Sequence, residues 1–134
     1  MTRYFKDNWK KILPEGFDLI DDEHPVYGSL NNNGKVLGRT DYLFKYRHLN
    51  FITELELGKD KTEFWSAFKV LAYKNAFLLD NPMLRKHEVR PLVVLNSSNF
   101  TPNIRNVLIM TDIDYIFLTQ NCEIYKMDIP YHRG

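Results

Sequence analysis

Three carboxylates lie close together in the chain, Asp41 in the run GRTDYLFKY and Glu54 with Glu56 in the run FITELELG. Both runs are rich in β-branched and aromatic residues, and only RHLN separates them, which predicts two antiparallel strands joined by a short hairpin. Side chains alternate along a strand, so Glu54 and Glu56 share a face with Ile52, while Phe51, Thr53, Leu55 and Leu57 take the other. Apolar residues on both faces place this strand in the middle of its sheet. Asp41 then falls beside the glutamates, at the end of the hairpin distant from the turn. Buried carboxylates repel one another and lose hydration, so the cluster needs a bound cation or nearby basic side chains. Oxygen ligands of this kind suit a hard cation, Mg²⁺ or Mn²⁺, at about 2.1 Å for Mg²⁺.

The flanking segments must position these groups. Phe5, Trp9, Ile12 and Leu13 recur at helical spacing before Pro14 and Gly16, predicting a first helix over residues 3–13. FDLID reads as a short strand, VYGSL as another, NNNG as a turn and KVLGRTDYLFKY as a longer strand, so a meander of about three strands runs up to Gly58. From Lys61 to Leu79 there is no Pro or Gly. Phe64, Phe68, Leu71 and Leu78, widened by Trp65, Ala72, Ala76 and Leu79, line the expected apolar face of a long helix. RPLVVLNSS is a strand buried on both faces, TPNIRNVLIMTD a helix with a Thr cap, and YIFLT and EIYKM the last strands. The order specifies one α/β domain over residues 1–134, a sandwich on a central mixed sheet flanked by helices.

At these residues the chain resembles the PD-(D/E)XK nuclease superfamily, which includes many restriction endonucleases and archaeal Holliday junction resolvases. Gly38 and Asp41 stand where the family has G-x-x-D, Glu54 opens its E-x-K strand, and Lys69 and Tyr73 occupy the Gln and Tyr places of the following helix. The likeness covers roughly residues 36–80. It departs at Glu56, where the family's usual lysine falls; some members carry glutamate there, and in others the lysine has moved to the helix, a place Lys69 fits. The resemblance implies a restriction-endonuclease-like fold and a Mg²⁺- or Mn²⁺-dependent endonuclease cutting duplex or branched DNA. Asp41, Glu54, Glu56 and Lys69 would be its catalytic residues, and the three carboxylates its metal ligands. A homodimer would cut the second strand. The other reading is a nuclease-fold module that binds nucleic acid or protein without chemistry. Such enzymes often take a further carboxylate from upstream, for which Glu15 or Glu23 could serve, although the acidic run DLIDDEHP reads better as a solvated loop.

Composition narrows the remaining options. With 134 residues, 44% hydrophobic and 26% charged, the chain is that of a folded protein. A formal net charge of +1 gives no bulk case for a nucleic-acid partner, so local clusters must carry it. Arg39, Lys45 and Arg47, with Arg85 and Lys86, are the candidate phosphate contacts. Cys122 is the only cysteine, excluding an intramolecular disulfide or a cysteine zinc cluster. His24, His48, His87 and His132 lack metal-ligand spacing, and there is no Gly-rich phosphate loop. No stretch reaches about 18 uninterrupted apolar residues, so neither a membrane span nor a signal peptide is expected, and the cytoplasm is the expected compartment.

Overall fold

The computed structural model describes residues 2–28, 34–57 and 63–129. The expected turn residues Asn31–Asn33, Gly58, the first residues of the long helix (Lys61 and Thr62), the side chain of Phe64, and His132 lie outside them. Helix α1 spans Thr2–Ile12 and is followed by strands β1 (Asp18–Val26), β2 (Gly38–Tyr46) and β3 (Leu49–Glu56). Helix α2 (Glu63–Asp80) leads to β4 (Val89–Asn96), and α3 (Pro102–Met110) leads to β5 (Asp114–Leu118) and β6 (Ile124–Asp128). The six strands lie in chain order in one sheet. β1, β2 and β3 pair antiparallel, β3, β4 and β5 parallel, and β5 and β6 antiparallel. Each parallel step requires a crossover, and α2 and α3 supply the two.

Alternation along the central strands divides the core in two. Leu43, Ile52, Val93, Leu95, Tyr115 and Phe117 face α2 and α3. Tyr42, Phe44, Phe51, Leu92, Val94 and Ile116 face α1, where Phe5, Ile12 and Leu13 complete an aromatic-rich layer. Trp9 leans on Phe44 at 5.1 Å between ring centroids. The α/β sandwich expected from the sequence is therefore present, with β3 the third strand of six and paired on both sides.

Three local expectations need correction. The acidic run DLIDDEHP is not a loop: it forms most of β1, paired with β2 from Asp18↔Lys45 to Val26↔Gly38. The separate strand expected from Val26 onward is absent at Tyr27 and Gly28, because Val26 is already the last residue of β1 and Asp80 accepts the Tyr27 and Gly28 amides at 2.7 and 2.8 Å. Finally, α2 presents only part of its expected face to the sheet: Leu71, Ala76 and Leu78 pack on the core as expected, but the centre of the buried stripe is shifted. Ser66, Ala67, Val70, Ala76 and Phe77 are buried, whereas Trp65, Phe68 and Leu79 are 61%, 71% and 53% exposed. The helix is rolled toward its polar contacts with β3, described below, and Trp65, Phe68 and Leu79 are left in solvent.

Gly38 shows how closely α2 approaches β2. A Cβ there would lie 2.7 Å from two carbons of the Tyr73 ring, so a side chain is excluded by contact and not by backbone conformation. Gly38→Ala should lower stability by about 1–3 kcal/mol, as overpacking does, and removing the ring in Gly38→Ala/Tyr73→Ala should recover part of that loss. Chemical denaturation of the four proteins of the cycle measures the coupling. Strictly additive single effects would show that Tyr73 is not what excludes a side chain at Gly38.

Candidate active site

Pairing between β2 and β3 begins beside the turn at Tyr46↔Leu49 and ends at Tyr42↔Thr53. Beyond that point β2 remains paired with β1 as far as Gly38, and β3 remains paired with β4 as far as Glu56. The sheet therefore forks between its second and third strands. Within the fork, side chains replace the main-chain ladder: the Asp41 amide donates to Glu54 Oε2 at 2.8 Å, and the Leu55 amide donates to Asp41 Oδ2 at 2.8 Å. Each carboxylate thus satisfies a main-chain donor of the opposite strand that forking would otherwise orphan. Thr40 Oγ1 donates to the Thr53 carbonyl at 2.9 Å just behind them. Glu54 is 1% exposed.

α2 runs back over this end of β3. Lys69 Nζ stands 3.2 Å from Glu54 Oε1. One turn earlier, Ser66 Oγ donates to Glu56 Oε2 at 3.1 Å. The structure thus brings Asp41, Glu54 and Lys69 together and directs Glu56 to Ser66. Glu54 and Glu56 share a face, as alternation requires, but are two residues apart, roughly 7 Å along a strand, and each meets its own residue on the helix. Asp41 and Glu54 thus meet in the fork while Glu56 lies further along β3 against Ser66, and among the described residues no group of three His, Cys, Asp or Glu side chains is placed to hold a metal ion.

Burial raises the Asp41 pKa, opposed chiefly by the Leu55 hydrogen bond and Lys69. Burial, then the charge of Asp41, pushes Glu54 up to about 7 despite the Asp41 amide and Lys69. Burial draws the Lys69 pKa down, but the charge and hydrogen bond of Glu54 outweigh it and the net shift is upward. The lysine is therefore cationic at neutral pH.

Asp41 opens onto a cavity of about 360 Å³ lined by Lys6, Asp22, Glu23, Tyr42 and Leu55. Glu23 falls between Asp22, which pairs with Tyr42, and His24, which pairs with Thr40, so it lies across from Asp41. Its φ of 49° marks a local kink in β1. Glu15 lines another hollow, with Trp9, Lys10 and Phe17. Of the two upstream carboxylates, Glu23 is the one beside the site. Asp41 lines an open, water-accessible cavity, and Glu54, buried behind it, is the second carboxylate a divalent cation there would take. That donor set fits Mg²⁺, which keeps several waters and commonly takes only one or two protein carboxylates.

The expected phosphate contacts are placed unevenly. Arg39 is two residues from Asp41, and its Nη1 donates to the Glu23 carbonyl at 3.3 Å. Lys45 sits at the turn end of the hairpin, about 14 Å along β2 from Asp41, and Arg47 lies in the turn beyond it. Arg85 and Lys86 precede β4, whose first residue pairs with Asn50 at that same distant end. Arg90 there is engaged by Asp112 and Asp114 at 2.8 and 2.7 Å. Lys6, which lines the Asp41 cavity, was not among the sequence candidates. On α1 it reads as an ordinary solvent-face lysine, and only the packing of α1 over Tyr42 brings it to the fork.

No family model matches the chain. A curated rice protein (Oryza sativa subsp. japonica), Protein IN2-1 homolog A, is 27% identical over 149 aligned residues, which take in 96% of this chain and 61% of that protein. The chain thus spans about three-fifths of the length of the curated protein it resembles. Two crystal structures share the fold. An XisH family protein from Nostoc punctiforme PCC 73102 superposes with a TM-score of 0.66 at 10% identity, covering 95% of this chain and 97% of that one. An fdxN element excision controlling factor protein from Anabaena variabilis gives 0.65 at 12% identity, over 94% and 95%. Among the described residues no helix is long and apolar enough to cross a membrane.

The acid pair makes stability fall with rising pH. Glu54 has a folded pKa of about 7 against an ordinary value of 4.5, so between these values the folded chain holds more protons than the unfolded one. At 1.36 kcal/mol per pKa unit the metal-free protein should lose up to about 3 kcal/mol from this group between pH 4.5 and 7, with Asp41 acting in the same direction. Melting curves from pH 5 to 8 should show a declining Tm that Glu54→Gln flattens. Added Mn²⁺ should raise Tm more at pH 8 than at pH 6, because the cation competes with the proton. A Tm that climbs with pH equally in wild type and Glu54→Gln would contradict the assignment.

Proposed function

We propose that the protein is a metal-dependent DNA endonuclease of the PD-(D/E)XK type, hydrolysing phosphodiester bonds in duplex or branched DNA. The observation that carries this reading is the fork itself, where Asp41 and Glu54 share hydrogen bonds across two strands and Lys69 stands 3.2 Å from Glu54. Asp41 and Glu54 would hold Mg²⁺ or Mn²⁺, which when bound neutralises phosphoryl charge and acidifies water. Lys69, fixed by Glu54 and cationic, is placed to stabilise negative charge that develops on the phosphoryl oxygens. It stands in for the lysine that Glu56 displaces from β3. Glu23 adds negative potential at the cavity wall, favouring entry of the cation. The excision-controlling description of one protein of the same fold accords with a role on DNA.

One site per chain cuts one strand, so double-strand cleavage calls for a second copy. The exposed α2 stripe of Trp65, Phe68, Ala72 and Leu79 carries no charge and has the composition for a two-fold contact. Sedimentation equilibrium should then show a dimer that Phe68→Glu dissociates, and a wild-type monomer at assay concentration would discard this part. The rival reading, a binding module without chemistry, is favoured by Glu56, whose carboxylate is buried against Ser66 in the place of the family's lysine.

Cleavage assays with Mg²⁺ and Mn²⁺ on linear, branched and single-stranded DNA separate the two. Lys69→Met should cut about 10²–10³-fold more slowly, the loss typical of one transition-state donor, with DNA affinity nearly unchanged and the melting temperature lowered by the loss of the Glu54 counter-charge. Asp41→Asn and Glu54→Gln should lose cleavage together with the Mn²⁺-induced rise in Tm. Glu56→Gln should instead keep its cleavage rate. A wild-type protein that binds no divalent cation and cuts none of these forms would leave only the binding module.

A further inference from the structure

The cavity at Asp41 is not closed. It adjoins a second hollow, of about 590 Å³, lined by Arg3, Lys6, Asp7 and Tyr42. Lys6 and Tyr42 line both, so together they form one groove that leads from the acid pair onto the solvent face of α1. Its inner end carries Asp22, Glu23 and Asp41, and its outer end carries Arg3 and Lys6 against the single charge of Asp7. Arg3 and Lys6 are three residues apart and so lie on one side of the helix, about 4.5 Å apart along its axis. Both are exposed. Neither is in an ion pair with the nearby acids: among the described residues the ion pairs are His24–Asp21, Lys69–Glu54, Arg90–Asp112 and Arg90–Asp114. Two exposed cations outside any ion pair at the mouth of the groove, with the carboxylates gathered at its inner end where a cation would neutralise them, favour an anionic chain with its reacting group inward.

We propose that Arg3 and Lys6 form a phosphate-binding edge of the site, gripping the sugar–phosphate backbone of the DNA strand whose neighbouring phosphodiester enters at Asp41. This rests on the nuclease reading and adds to it the path of the substrate. The strand crosses α1 at the forked end of the sheet, and the Lys45 and Arg47 turn lies away from that path.

Fluorescence anisotropy of a labelled duplex, without divalent cations, tests the assignment across 50 to 200 mM salt. Loss of two phosphate contacts in Arg3→Gln/Lys6→Gln should lower the log–log salt slope by about 1.8, so the wild-type advantage in affinity should shrink about 12-fold over that range. Lys6→Gln alone should give about half the change in slope, and Lys45→Gln/Arg47→Gln should leave it near the wild-type value. Thermal melting checks that each variant folds. If wild type binds and cuts DNA but the slope is unmoved by Arg3→Gln/Lys6→Gln, the α1 path is wrong and the nuclease reading stands. If wild type neither binds nor cuts DNA, the nuclease reading falls and the path falls with it.

Discussion

Two reciprocal hydrogen bonds, from the Asp41 amide to Glu54 and from the Leu55 amide to Asp41, hold open the junction between the two halves of the sheet. An ordinary ladder at this point would direct the main-chain donors to main-chain acceptors and leave the carboxylates to find partners elsewhere. With the strands apart, the carboxylates become those partners, and their remaining lone pairs face Lys69 on one side and the cavity on the other. The cost is two like charges in a buried place, and the upward pKa shifts of Asp41 and Glu54 register it. Charge brought by Lys69, by a proton or by a cation relieves the same repulsion, so the three substitute for one another.

That constraint reaches into packing. α2 must present Ser66 to Glu56 and Lys69 to Glu54, and this sets its roll on the sheet. The small and medium residues Ala67, Val70 and Ala76 therefore face inward, and Trp65 and Phe68 face out. Tyr73, one further turn along, comes to rest on Gly38, just ahead of the aspartate on β2. A polar contact worth little by area thus leaves Trp65 and Phe68 in solvent, while Phe77 still reaches the core. Hydrophobic burial is non-directional, whereas a buried carboxylate left without a donor is costly.

Much of this was legible in the sequence and some was not. The hairpin, the central place of β3 and the crossover helices follow from alternation, short joins and an uninterrupted helical run, all of them local signals. Lys69 was reachable because a helix following the E-x-E strand must pack back across it. The α2 face was misread because its apolar residues nearly encircle the helix, so periodicity alone does not fix the roll. The start of β1 was read from FDLID, but its extension through the acidic run to Val26 was missed because those residues lie on an edge strand, where hydration keeps charge tolerable and hydrophobic alternation is not needed. Lys6 was not legible at all: nothing in α1 shows that its solvent face borders a site built from β2 and β3.

The fork also orders events in time. Asp41 and Glu54 are only 13 residues apart and belong to one hairpin, the kind of contact that forms early. Lys69 arrives only when the chain has turned back through α2 and docked it on the sheet. The parallel pairing of β3 with β4 needs that same excursion, closing a loop whose ends are as distant as Asn50 and Val89. The ladder of the hairpin runs from its turn as far as Tyr42 and Thr53 and gives way to the acid pair beyond them. The gap there is the one α2 covers, so the reactive end of the molecule is complete only once the chain has made the excursion that also brings β4 to β3.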